Sequence, residues 1–178
     1  SNLATLRYLS QSDLLNLGAN HSNSFIEAIT EGLTLHANKQ FVQPLKPYLR
    51  WQGADHIADR IIAIPCYLGG NDPIAGIKWI GSRQHNPKKF NIPRASALIV
   101  LNDSETNYPV AVMEGSLISA MRTAAITGVS IKYLAKKDFS DITVIGCGPI
   151  AQMQIKTHST VAHACNPRTL GGGSRRIT

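Results

Sequence analysis

Asp141-Ile142-Thr143-Val144-Ile145-Gly146-Cys147-Gly148-Pro149-Ile150-Ala151 is the stretch on which the fold turns. Its first five residues are a short apolar run that predicts a buried strand, and two glycines follow without a break. Strand, GxGxxA turn and helix, in that order, open a dinucleotide-binding βαβ unit. Gly146 permits the tight turn, and Gly148 has no side chain to keep a pyrophosphate from the backbone. Ala151 lets helix and strand pack closely. Pro149 suits the first helical turn, where its missing N–H is not needed, and the helix start through Ile150 offers free N–H groups to phosphates. An ordinary glycine-rich βα turn has the same look, so the motif by itself is weak and the preceding strand strengthens it. A dinucleotide site also expects an acid about 20 residues later, to hold the ribose hydroxyls. No Asp or Glu follows Asp141, so the cofactor half is expected to be incomplete.

Upstream, Ser10 and Asp13 flank a helix start, since both satisfy free backbone N–H groups, and Gly18 ends that helix. A second helix starts near Ser24, with Ile26, Ile29 and Leu33 as its apolar stripe. Pro44 and Pro47 predict an extended arm carrying Tyr48, Leu49 and Arg50. Strands are expected at 60–64, stopping at Pro65, and at 76–81. Runs at 97–101 and 109–113 form a hairpin around a polar turn. Residues 116–136 read as a long helix in which Gly128 serves close packing. Helices, then strands, then a helix indicate an α+β domain rather than a parallel repeat.

The chain of 178 residues is 43% hydrophobic and 16% charged, a globular rather than disordered balance. No run is long enough to span a bilayer, and no secretion signal is visible. Cys66, Cys147 and Cys165 have no metal or disulfide spacing, and the six histidines show no ligand pattern, so no metal is expected. Free thiols fit a reducing, cytoplasmic setting. The net charge of +7 includes three arginines after residue 156, which leaves +4 before them. Small anionic substrates account for that excess, and no basic run with interleaved aromatics indicates nucleic acid.

Three cations stand out. Lys78 lies in an otherwise apolar strand and Arg122 in an apolar helix, which predicts partly buried charges needing an anionic partner. Arg50, ending the arm, reads as a surface charge when taken alone.

The segments GIKWIGS (76–82), LNDSETNYPVAVMEGSLISAMRTAA (101–125) and VIGCGPIAQMQ (144–154) resemble the ornithine cyclodeaminase and mu-crystallin family. HSNSFIEAITEGL (21–33), FVQPLKPYLR (41–50) and HIADRIIAIP (56–65) look closest to its 2,3-diaminopropionate-forming branch, whose members serve siderophore and antibiotic pathways. The resemblance runs from about Leu6 to Lys156. It implies an α/β protein: an α+β substrate and dimerisation domain followed by an NAD-binding Rossmann domain, usually as a homodimer. The implied substrate is a glutamate joined through its nitrogen to a diaminopropionate carbon. Hydride leaves the glutamate α-carbon for NAD, and hydrolysis yields 2-oxoglutarate and 2,3-diaminopropionate. Lys78 and Arg122 match substrate-contacting positions, Arg50 less securely. Thr123 and the turn from Gly146 to Ala151 match cofactor-contacting positions.

The expected division is 1–138 for the substrate domain and 139–156 for the first βα unit of a truncated Rossmann domain. Residues 157–178 are expected to be an unrelated, disordered tail, because VAHACNPRTLGGG resembles a translated Alu repeat. A chain so cut should be inactive alone and poorly ordered or aggregation-prone after Asp138. An ornithine cyclodeaminase-like activity and a non-catalytic binding or dimerisation module are the alternatives.

Overall fold

The computed structural model describes residues 5–136, 139 and 141–165, with side chains as far as 158. It forms two compact units: Ser1–Asn20 with Glu31–Ser119, and His21–Thr30 with Ala120–Thr178. The boundaries expected from the sequence lay after residues 138 and 156. The division is discontinuous because Ile26, early in the second helix, packs with Ala125 and Val129.

The first unit is built on a mixed sheet. Its strands are β1 (Arg7–Leu9), β2 (Phe41–Val42), β3 (Tyr48–Leu49), β4 (Arg60–Leu68), β5 (Ile74–Ser82), β6 (Ala95–Asp103) and β7 (Pro109–Glu114). The order is β1-β7-β6-β5-β4-β2, with β3 also on β4. All pairs are antiparallel except β1 on β7. The 97–113 hairpin forms as expected: Asp103 closes its turn by accepting from the Thr106 hydroxyl and from the N–H groups of Glu105 and Thr106.

Strand β4 does not stop at Pro65; it runs on to Leu68. The Ala63 N–H donates to Pro47 O on the β3 side, 3.2 Å away. Two residues on, the Pro65 nitrogen faces that same edge, in the gap between the β3 pairing at 61–62 and the β2 pairing at 67–68. A missing N–H costs no ladder bond there.

Helix α1 (Gln11–Asn16) has the expected capping box. The Ser10 hydroxyl accepts from the Asp13 N–H, and Asp13 accepts from the Ser10 N–H at 2.8 Å. Gly18, at φ +88°, follows its end. Replacing Ser10 by Ala removes half of this box and should lower stability by about 1 kcal/mol in urea titration. No change would mean that the box is dispensable.

Helix α2 (Ser22–Ala37) belongs to both units, and a short α3 (Asn86–Phe90) joins β5 to β6. Leu33, expected on the apolar stripe, is exposed, since the buried stripe of α2 is confined to its first half. The second unit takes the rest of its structure from α4 (Ser116–Leu134) beyond Ser119 and from α5 (Pro149–Cys165). Gly128 does serve close packing: a Cβ there would lie 3.2 Å from Ile26 Cδ1 and 3.3 Å from Thr157 Cγ2.

Candidate functional site

In the first unit, β5 sits between β4 and β6 and places Lys78 opposite Ile64 and Ile99. Lys78 is half-buried there, as its apolar neighbours predicted, and its ammonium donates to Ser119 Oγ at 3.2 Å. The hydroxyl belongs to the first turn of α4, so strand and helix together aim this cation. The α4 start is itself fixed by Glu114, whose carboxylate accepts from the Ser116 and Leu117 N–H groups. Burial pushes the Glu114 carboxyl up, but these hydrogen bonds outweigh it and hold it below the usual carboxylate range.

Arg50 is exposed just after β3, and β4 lies between β3 and β5. Its Nη2 donates to His56 O at 3.0 Å and Ala54 O at 3.5 Å, which ties it to its own loop.

That loop meets the far end of the β4–β5 hairpin. Asp59 is buried and accepts from the Gln84 N–H at 2.7 Å. This hydrogen bond holds its carboxyl below the usual range. Arg83 lies over the Trp51 ring at 5.4 Å. Arg60 lies over the Tyr48 ring at 5.3 Å and donates from Nη1 to Ile57 O at 2.9 Å. Its Nε is buried without a partner among the described residues. Sequence reasoning missed this arginine, because a cation at the first position of a strand carries no signal of burial.

In the second unit, Arg122 is exposed, not partly buried. Met121, Ala124, Ala125, Gly128 and Val129 make the buried stripe of α4, while Arg122, Ile126 and Ser130 recur on its open side. Helix neighbours point about 100° apart, so apolar flanks in sequence did not mean an apolar surround in space. Arg122 is thereby accessible to an anion. Thr123, beside it, is half-buried.

The glycine turn fits the phosphate end of a dinucleotide. Gly146 has φ +100°, which a side chain would strain, and open space surrounds the Cβ position of Gly148. Pro149 opens α5, Gln152 N–H donates to Gly148 O at 3.1 Å, and Gln152 Nε2 donates to Cys147 O at 3.2 Å. Ile150 is exposed and Ala151 half-buried at the helix start. Residues 141–145 are not a strand, contrary to expectation, and Ile145 is 98% exposed. A strand exists by its ladder, and no neighbouring strand pairs with this segment among the described residues.

Helix α5 does not change character at Lys156 but continues to Cys165. Thr157 is buried beside Gly128, with its hydroxyl 3.5 Å from that of Ser22, and Gln154 Nε2 donates to Thr127 Oγ1 at 3.3 Å. The rest of the expected tail, 166–178, lies outside the described residues.

His158 is buried, and its Nδ1 has no partner among the described residues. Burial penalises the imidazolium and holds its pKa below the ordinary 6.5. The unfolded chain therefore takes up a proton near pH 6.5 that the folded chain refuses. This contribution to stability is complete above that pH and is lost as pH falls through 6.5 towards the folded value. Thermal melts from about pH 7.5 to about pH 5 should show a falling Tm, and His158→Phe should flatten the slope. A slope unchanged by that substitution would show that another group titrates.

Among the described residues no group of His, Cys, Asp or Glu could hold a metal ion, and no helix is long and apolar enough to cross a membrane.

Residues 15–166 match the model of the ornithine cyclodeaminase/mu-crystallin family, ten residues past Lys156, where the resemblance read from the sequence stopped. Over 151 residues the chain is 58% identical to the N-((2S)-2-amino-2-carboxyethyl)-L-glutamate dehydrogenase of Staphylococcus aureus, covering 84% of this chain and 45% of that protein. It superposes on the Δ1-pyrroline-2-carboxylate reductase of Thermococcus litoralis, solved with NADH and L-proline, with a TM-score of 0.78. Identity is 33%, and coverage is 86% of this chain and 46% of that one. An archaeal alanine dehydrogenase dimer with bound NAD gives a TM-score of 0.76 at 33% identity, covering 86% of this chain and 45% of that one. The chain thus spans about half the length of the relatives it matches. With that match over most of its length, on a mixed α/β fold shared with these enzymes, the chain belongs to the ornithine cyclodeaminase/mu-crystallin family.

Proposed function

We propose that this chain serves an NAD-dependent dehydrogenase that converts N-(2-amino-2-carboxyethyl)-L-glutamate and water to 2,3-diaminopropionate and 2-oxoglutarate. The 58% identity to the Staphylococcus aureus enzyme carries the reading. Lys78 holds a substrate carboxylate from the sheet, and Arg50 and Arg122 are each further candidates for a substrate contact. Thr123 and the turn from Gly146 to Ala151 hold the cofactor, which, when bound, supplies the hydride acceptor. A precursor of siderophores or antibiotics is the product such a reaction delivers, and the cytoplasm is where NAD and amino-acid substrates meet.

A second copy of the chain would pack on the sheet face opposite Lys78. Trp79 and Leu98 are cross-strand neighbours on that face, with Tyr67 on the same side, and all three are exposed. Apolar cross-strand pairs left open to water favour association. Alone, the 178-residue polypeptide should not turn over, since no Asp or Glu after Asp141 is present to take the ribose hydroxyls.

Calorimetric titration of the chain with N-(2-amino-2-carboxyethyl)-L-glutamate, L-ornithine and L-alanine tests the reading. Binding that favours the tricarboxylate supports it. No binding, or a preference for L-ornithine, overturns it.

A further inference from the structure

We infer that Arg60 is a carboxylate clamp that gives the site its preference for a long, multiply carboxylated substrate. The inference rests on the proposed function and adds a residue to it.

The first ground is the sheet register. Ile64 lies opposite Lys78 and Arg60 opposite Ser82, and side chains on one face recur every second residue. Arg60, Ile62 and Ile64 on β4 therefore share the face of Lys78, Ile80 and Ser82 on β5. Four residues separate the two cations along the strands, roughly 13 Å between backbone positions. The Lys78 ammonium rests at Ser119 Oγ and the Arg60 guanidinium at Tyr48 and Ile57 O, and both side chains are long enough to turn into that interval. An amino acid as small as alanine at Lys78 cannot reach Arg60, but a molecule carrying carboxylates at both ends can.

The second ground is the state of the guanidinium. Arg60 is half-buried, and no acid of the chain pairs with it among the described residues. Its neighbour Asp59 is committed to the Gln84 N–H. Arg60 instead rests on a ring face and one carbonyl, with Nε buried and unpaired. A buried donor without an acceptor is costly. Lifting the guanidinium from Tyr48 onto a bound carboxylate would satisfy Nε and a terminal nitrogen at once, through the two parallel hydrogen bonds that suit arginine to carboxylate. The resting contacts are weak enough to exchange for it.

The test titrates the 178-residue chain, as wild type, R60Q and R60K, with N-(2-amino-2-carboxyethyl)-L-glutamate and with L-alanine. Expected is at least about a tenfold loss of tricarboxylate affinity in R60Q and a smaller loss in R60K, with L-alanine affinity within about twofold of wild type. The Nε–Hε resonance of Arg60 should shift when the tricarboxylate is added to the wild type. Should R60Q fail to fold, R60K and the resonance decide. Equal affinity of the wild type and the variants for the tricarboxylate, an equal loss for both ligands, or an unmoved resonance overturns the clamp. A wild type that binds neither ligand overturns the proposed function, and the clamp with it. A wild type that binds the tricarboxylate while the variants bind it equally well overturns the clamp alone.

Discussion

Gly76→Ala should lower the stability of the sheet unit by about 3 kcal/mol, read as a fall in the urea midpoint of the circular dichroism transition. Gly76 sits within β5, opposite Cys66 and Leu101. A Cβ there would lie 2.5 Å from Val100 O and 3.1 Å from Leu101 Cδ2. The leucine methyl can turn aside. The carbonyl cannot, because it is part of the β5–β6 ladder, and moving it strains both strands. The side chain is excluded by close approach of backbones, not by an unusual φ. Gly148→Ala is the control: open space surrounds that position, so its stability should hardly move. Equal effects at the two glycines would refute the argument from close approach.

Lys78→Met should cost about 2 kcal/mol in binding of N-(2-amino-2-carboxyethyl)-L-glutamate, roughly a thirtyfold loss. Methionine keeps most of the apolar stem between Ile64 and Ile99 while removing the ammonium. Thermal stability should therefore stay near that of the wild type, because a half-buried cation is exchanged for a side chain that packs. The pairing of lost affinity with retained stability marks a ligand-holding charge. A fall in both would make Lys78 a structural partner of Ser119 instead, and the assignment of a substrate carboxylate to it would fail.

Local chemistry was the legible part of the fold. The Ser10–Asp13 cap, the hairpin turn at Asp103 and the close packing of Gly128 each depend on a few neighbouring residues, and all were readable as such. Pro65 misled because a missing N–H matters only where a neighbour would accept it, and the edge geometry that excuses it is set by β2 and β3, far away in sequence. The 141–145 run misled in the opposite sense: its residues suit a strand, but strands are made by partners. Of the candidate cations, Lys78 was legible because alternation along a strand fixes its surroundings. Arg122 was not, since a helix turns its neighbours away from it. Arg60 could be found only through the loop that folds over it.

The pairing of β1 with β7 joins Arg7 to Ala111 and Leu9 to Met113, across about a hundred residues of chain. The hairpins from β4 to β7 close short loops and can form at little entropic cost, whereas β1 must search the whole intervening length for its place. By that cost, the first strand among the described residues is expected to join its sheet last. On a ribosome it would wait, unpaired, until β7 had emerged, and any shortening of the polypeptide before Glu114 would leave the segment ahead of α1 with nothing to bind.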